Sequence, residues 1–470
     1  MKLLQCVGPI LLVMGTQRLA AQEPLELERV LRSVDAHHPT LEAAVHTLDA
    51  AQSYLTAARG AFDPNLDIYG SLRSGGYYEL RRMDAELRQA TPFAGTEFHA
   101  GYRLGRGIEQ RRYPTYYDDE TRSSGEFSAG LEIPLLYGRD LDTRRANRTR
   151  AHLGIDRAEA SLEATRLQLR ATATDAYFRW VTAVRTQQIT GDLLQLAEDR
   201  KRWVERRVQD GAIAAIEELE ADRSLLRFEQ AQIKAAQDEQ TASFSLSIFL
   251  RDERGAPRVA KPEELPPNLS FPPGESVGSS DLVAATLACH PRLIAKRAEV
   301  SSLEVQRRLQ AAIRLPRLNV QAQVSRDFGD GDESLPGTVF ETGLKFAMPL
   351  GMRTPRGRYE QARFQQNAAE RELQLLEERM NVQLEQAVVQ FRTAAKQQEV
   401  ARLRVLNAQE LRRAEHLRFE AGATTLIFVN QREMSYLEAA IAEIRANQTL
   451  WHAYAYWSAL TACATPTPTE

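Results

Sequence analysis

Long apolar runs, cysteines and a dominant charge are scarce in this sequence, and each shortage excludes something. No stretch reaches the roughly 18 apolar residues of a membrane-spanning helix, so helical membrane spans are not expected. There are three cysteines, and Cys6 falls in the apolar N-terminal run, which leaves Cys289 and Cys463. Two thiols cannot hold a structural zinc alone, and the eight histidines show no ligand spacing around them. In an oxidising compartment the two can pair; two separate, partly buried thiols are the alternative. A net charge of −3 on 470 residues gives no basis for bulk nucleic-acid affinity.

Catalytic constellations are missing too. Asp327-Phe328-Gly329 spells a kinase triplet, but neither a phosphate-binding glycine loop nor a catalytic-loop partner accompanies it. Its acidic surroundings (Asp330, Asp332, Glu333) lack EF-hand spacing and read as a solvated loop. Glu217, Glu218 and Glu220 crowd one helix start, where acids usually stabilise the dipole. No catalytic residue, cofactor or metal ligand is expected, and the protein does not read as an enzyme.

What is present begins with a leader. Lys2, an apolar stretch from Leu3 to Met14 and the small residues of Leu19-Ala20-Ala21 read as a secretory signal over 1–21. Gly138 to Leu250 then carries no proline and is dominated by Ala, Leu, Glu, Gln and Arg, the residues that lose least entropy in a helix. Its one obvious breaker is Gly211, which predicts two antiparallel helices, 139–210 and 214–250. The first would be roughly 100 Å long, more than a compact globule wraps, and calls for a coiled-coil partner.

The same plan occurs twice. Arg207-Val-Gln-Asp-Gly211-Ala returns as Arg418-Phe-Glu-Ala-Gly422-Ala, and Thr182-Ala183 as Thr393-Ala394, at one offset of 211 residues. His38-Pro39-Thr-Leu41 returns as His290-Pro291-Arg-Leu293, and Pro64-Asn-Leu66 as Pro316-Arg-Leu318, at an offset of 252. The chain is therefore an internal duplication, with about 40 extra residues between Leu66 and Gly130. The expected organisation is a first repeat over 22–250, a proline-rich connector over 251–280, a second repeat over 281–461 and a disordered tail over 462–470. Between helices each repeat shows strand alternation: Leu66, Ile68 and Leu72; Met83, Ala85 and Leu87; Phe98, Ala100, Tyr102 and Leu104; Phe127 to Leu135; Val320, Ala322 and Val324; Phe340, Leu344 and Phe346. One apolar and one charged face fit either a half-buried soluble sheet or a membrane barrel with a wet lumen. An exported chain without apolar helices favours the barrel, because lipid satisfies only closed backbones.

The duplicated order of His-Pro-x-Leu entries, strand-Gly-helix junctions at Gly138 and Gly351, and Arg-x-x-x-Gly turns resembles the TolC-type outer-membrane efflux protein family across nearly the whole mature chain. The resemblance implies a mainly α fold with a membrane β-barrel, shared by a homotrimer and continued by a periplasmic α-helical tunnel. It implies a passive duct in the outer membrane, touching its lipid and serving a tripartite efflux pump or type I secretion system. Its partners would be a periplasmic adaptor and, through it, an inner-membrane transporter. The turns at Arg207, Gly211, Arg418 and Gly422 would dock the adaptor. Gate positions of the family fall on Glu217, Thr424, Phe428 and Gln431; three of these four lack the expected charge, so a Phe428 ring can close the duct instead, or Phe428 is an ordinary core residue. Arginines at 139, 144, 145, 148 and 150, and at 353, 356, 358 and 363, can meet lipid phosphates or form ordinary helix salt bridges. The family's usual subunit supplies four strands, whereas this first repeat reads as four by itself. The surplus pair, 83–90 and 96–104, would either widen the barrel or stand above it. The competing class is a periplasmic coiled-coil adaptor or structural protein, which gives no reason for duplicated strand hairpins.

Overall fold

The computed structural model describes residues 24–74, 80–107, 120–267, 280–331 and 337–464. The leader, Asp332, Glu333 and most of the proposed tail lie outside them. Eight helices and six strands follow in order: α1 Leu27–His37, α2 Pro39–Gly60, β1 Asn65–Arg73, β2 Leu80–Ala90, β3 Glu97–Gly107, β4 Glu126–Pro134, α3 Thr143–Gln209, α4 Ile216–Ser247, α5 Ser280–Cys289, α6 Pro291–Ile313, β5 Arg317–Asp327, β6 Thr338–Ala347, α7 Arg353–Glu420 and α8 Leu426–Thr461. Among the described residues no helix is long and apolar enough to cross a membrane. Two compact units divide the chain: one holds the described parts of Met1–Ala36, Thr172–Pro273 and Thr393–Tyr454, the other those of His37–Ala171, Gly274–Arg392 and Ala455–Glu470.

The second of these contains the sheet. Six antiparallel strands lie in sequence order, β1-β2-β3-β4-β5-β6, leaving β1 and β6 as its edges. Both surplus strands are longer than the alternation indicated, with 11 residues each. Their ends are charged or glycine-rich (Arg81, Arg82; Gly105, Arg106, Gly107), which hides the period. The repeated His-Pro-x-Leu segment acquires a physical meaning here. His38 and His290 are N-caps, each ring Nδ1 accepting a 3.2 Å bond from the N–H of Thr40 or Arg292. Pro39 and Pro291 take the first helical position, where no N–H is needed, and Leu41 and Leu293 are buried. Cys289 and Cys463 form a disulfide, which settles the two alternatives the sequence left open. At the strand-helix junctions Gly138 is left-handed, but in the second repeat that conformation belongs to Met352 rather than Gly351.

The helical unit is built from most of α1, all of α4 and parts of α3, α7 and α8. Leu193, Ala197, Phe228 and Leu437 form one core cluster; Val204, Ala221, Leu426 and Val429 form another beside the two turns. Buried Tyr177 donates to the Leu25 carbonyl at 2.9 Å, and the Leu25 N–H donates to the Glu264 carbonyl at 2.7 Å. The described part of the connector is thus pinned by hydrogen bonds despite its prolines.

Candidate functional site

Two turns of the helical unit have the same construction. Gly211 and Gly422 sit at φ +68° and +71°, a region that suits glycine. The Gly211 N–H donates to Val208 O at 3.0 Å and the Ala212 N–H to Arg207 O at 2.9 Å. The Gly422 N–H donates to Phe419 O at 2.9 Å and the Ala423 N–H to Arg418 O at 2.8 Å. This 5→2 and 6→1 pairing is the Schellman closure of α3 and α7, and it explains the repeated Arg-x-x-x-Gly spacing by main-chain geometry. A Cβ on either glycine would meet nothing within 4 Å, so their requirement is conformational and their surroundings are open.

The paired arginines differ above the backbone. The Arg207 guanidinium lies 5.2 Å from the Trp203 ring centroid, whereas Arg418 lies 3.6 Å from Glu415. Of the four gate positions, Thr424 and Glu217 are half-buried while Gln431 and Phe428 are exposed. Phe428 is 51% exposed, so within one chain it is not a core residue. Glu217 stands in the first turn of α4, and its Oε2 is buried with no hydrogen-bond partner among the described residues.

Sequence reasoning missed the polar lock behind these turns. Arg200 on α3 makes a bidentate, buried bond to Glu433 on α8, one arm at 2.6 Å, and its Nη1 also donates to Asn430 at 3.1 Å. Asn430 in turn donates to the Glu220 carbonyl of α4 at 3.4 Å. A buried ion pair is weak evidence for stability, but with Asn430 this one links α3, α4 and α8 beside the turns. The residues are 233 apart and share no local motif, so no sequence signal could have paired them.

The sheet supplies the other surface. Register places Leu66, Ile68, Met83, Ala85, Leu87, Phe98, Ala100, Tyr102, Phe127, Ala129 and Leu131 on one face. The same face continues through Val320, Ala322, Val324, Phe340 and Leu344. The opposite face carries Asp84, Arg103, His99, Glu132, Gln321, Gln323, Glu341 and Lys345. Asp327 of the kinase-like triplet ends β5 and accepts the Arg122 N–H at 3.1 Å. At the helix starts, Arg144 and Arg145 are engaged by Glu97 and Asp142, Arg148 lies over Phe62, Arg150 bonds Gln306, and Arg363 pairs with Glu360. Arg144, Arg145 and Arg363 thus make ordinary ion pairs, while Arg148 and Arg150 make a ring contact and a neutral hydrogen bond instead.

An apolar sheet face together with two helical hairpins of the same construction fits the outer-membrane channels that combine a β-barrel with α-helices. The outer membrane efflux protein family matches residues 30–250 and 282–460. The chain belongs to that family. The fold is similar to a membrane protein from Pseudomonas aeruginosa (16% identity, 93% of each chain covered, TM-score 0.66). It is also similar to the CmeC outer membrane channel of Campylobacter jejuni (14% identity, 94% of this chain and 87% of that one, TM-score 0.66). A third likeness is to the outer membrane protein VceC from Vibrio cholerae (16% identity, 93% and 96%, TM-score 0.64). No curated protein sequence matches the chain.

Proposed function

We propose that three copies form a passive outer-membrane duct, fed by an inner-membrane transporter through a periplasmic adaptor, as in a tripartite efflux pump or type I secretion system. The carrying observation is the open six-stranded sheet with one apolar face, whose two unpaired edges would be ruinous in lipid unless other copies close them. The helices support the same assembly. Exposed Ile216, Leu219, Leu226 and Ile233 follow a near-heptad line on α4; Leu375, Val382, Val389 and Leu403 follow one on α7, interrupted by Lys396. On this reading residues 1–21 direct export, 22–250 and 281–461 are the two repeats joined by 251–280, and Arg207, Gly211, Arg418 and Gly422 form the adaptor-docking turns. Outer-membrane fractionation with unheated gel electrophoresis tests the assembly: a trimer that collapses to monomer on boiling is expected, and a monomer in the soluble periplasm would reject it.

The gate would lie after the turns, at Glu217, Thr424, Phe428 and Gln431. Exposed Phe428 from three copies can close the duct by apolar contact, since an aromatic ring excludes water over a large area. Phe428→Ala should then raise single-channel conductance and sensitise cells to bulky antibiotics. Unchanged conductance would assign the ring to packing between copies.

A further inference from the structure

We infer that the surplus hairpin β2–β3 is part of the membrane wall, so that each subunit supplies six spanning strands and the trimer closes an eighteen-stranded barrel. The inference rests on the trimeric channel reading above. Strand order carries it furthest. The hairpin is inserted between β1 and β4 rather than appended to an edge. Every residue of β1 from Asn65 to Arg73 is paired with β2, and β4 is paired with β3 along Glu126 to Glu132. A hairpin standing above the bilayer would undo both ladders and require β1 and β4 to pair directly with each other, a pairing this sheet does not have.

The hairpin also has the right height. All six strands have 9 to 11 residues, which is what a tilted strand needs to cross the hydrocarbon. Its turn, Thr91 to Thr96, lies against the junction between β4 and α3. A Cβ on Gly95 would come within 2.3 Å of the Gly138 carbonyl oxygen, and Arg144 at the start of α3 bonds Glu97 at 3.2 Å. One end of the hairpin is therefore level with the helix end of the sheet, and its length carries it across to the other.

Both faces match their neighbours as well. Leu66 pairs with Leu87, Leu87 with Ala100, Phe98 with Leu131 and Ala129 with Val324, so the apolar face runs on through the middle of β2 and β3, bounded by Gln89 at one end and by Arg81 and Arg106 at the other. Met83 and Phe98 are 54% and 50% exposed on it, as is Leu344 of β6 at 74%. On the other face Arg103 reaches Asp84 at 3.0 Å and Glu126 at 3.6 Å, while His99 bonds Gln323 at 3.3 Å across the intervening β4. The charged ladder is that of a wetted lumen. Barrel diameter grows with strand number, and at about 18 strands the interior holds an aqueous channel. The wall of this barrel would thus admit bulky hydrated cargo.

Single cysteines at Met83, Phe98, Ser128 and Leu344, in trimers reconstituted into lipid vesicles, test this with one apolar and one membrane-impermeant maleimide; the native pair is protected as a disulfide. Met83→Cys, Phe98→Cys and Leu344→Cys should favour the apolar reagent at least tenfold, and Ser128→Cys the charged one. Apolar labelling at Leu344→Cys with charged labelling at Met83→Cys and Phe98→Cys would overturn the six-strand wall and leave the channel intact. Charged labelling at Leu344→Cys as well would overturn the channel reading itself. Images of the unmodified trimer give a check free of mutation: eighteen strands around the ring are expected, and twelve would refute it.

Discussion

His290 shows how one repeated residue does its work. Its ring must be neutral at Nδ1 to accept the Arg292 N–H, and burial together with the Arg292 charge pushes its pKa down to about 4. A depressed histidine pKa means that the unfolded chain binds the proton more readily. The contribution is therefore complete above pH 6.5 and is lost as pH falls from there towards 4. The unfolding temperature should accordingly fall as pH drops through that window. His290→Asn keeps a good cap without a titrating ring and should flatten the dependence, whereas His290→Ala should cost about 1 kcal/mol at neutral pH. An unaltered pH profile in His290→Asn would remove this residue from the account. His452 has the opposite sign: its hydrogen bond to Asp175, at 2.9 Å, raises its pKa, so that contribution fades as pH rises.

Among elements, the turns illustrate what was legible in the chain and what was not. Gly211 and Gly422 were visible as breakers because each interrupts a long run of helix formers, and both are left-handed. The Arg207 and Arg418 side chains were not legible, because the repeat preserves their carbonyls in the closure and leaves the guanidinium groups free to find different partners. The strands were found from alternation, yet their ends were misjudged where Arg81 lies directly opposite Arg106 and no apolar period survives. Replacing both turn glycines by valine forces a β-branched residue to positive φ, at roughly 1–2 kcal/mol per site. Nothing lies within 4 Å to clash, so assembly should persist while export falls. Undiminished export from the Gly211→Val/Gly422→Val protein would show that the turns are not the docking surface.

At the scale of the whole molecule, duplication is readable because ordered matches relate the halves, and the difference between their two offsets, 252 and 211, gives the length of the insertion between Leu66 and Gly130. Contacts between residues far apart in sequence were beyond reach. Nothing about Arg200 or Glu433 singles them out of 60 basic and 63 acidic side chains, and only packing brings them together. The same holds for the pairing of Cys289 with Cys463, whose separation of 174 residues is compatible with any arrangement.

That disulfide also imposes an order in time. A chain emerging N-terminus first exposes Cys289, the last residue of α5, well before its partner, and the bond must wait until α6, β5, β6, α7 and α8 have all followed. Throughout that interval Cys289 is a lone thiol open to exchange. Any product truncated within α8 would stay in that condition permanently, so an alkylating tag on Cys289 distinguishes unfinished chains from finished ones.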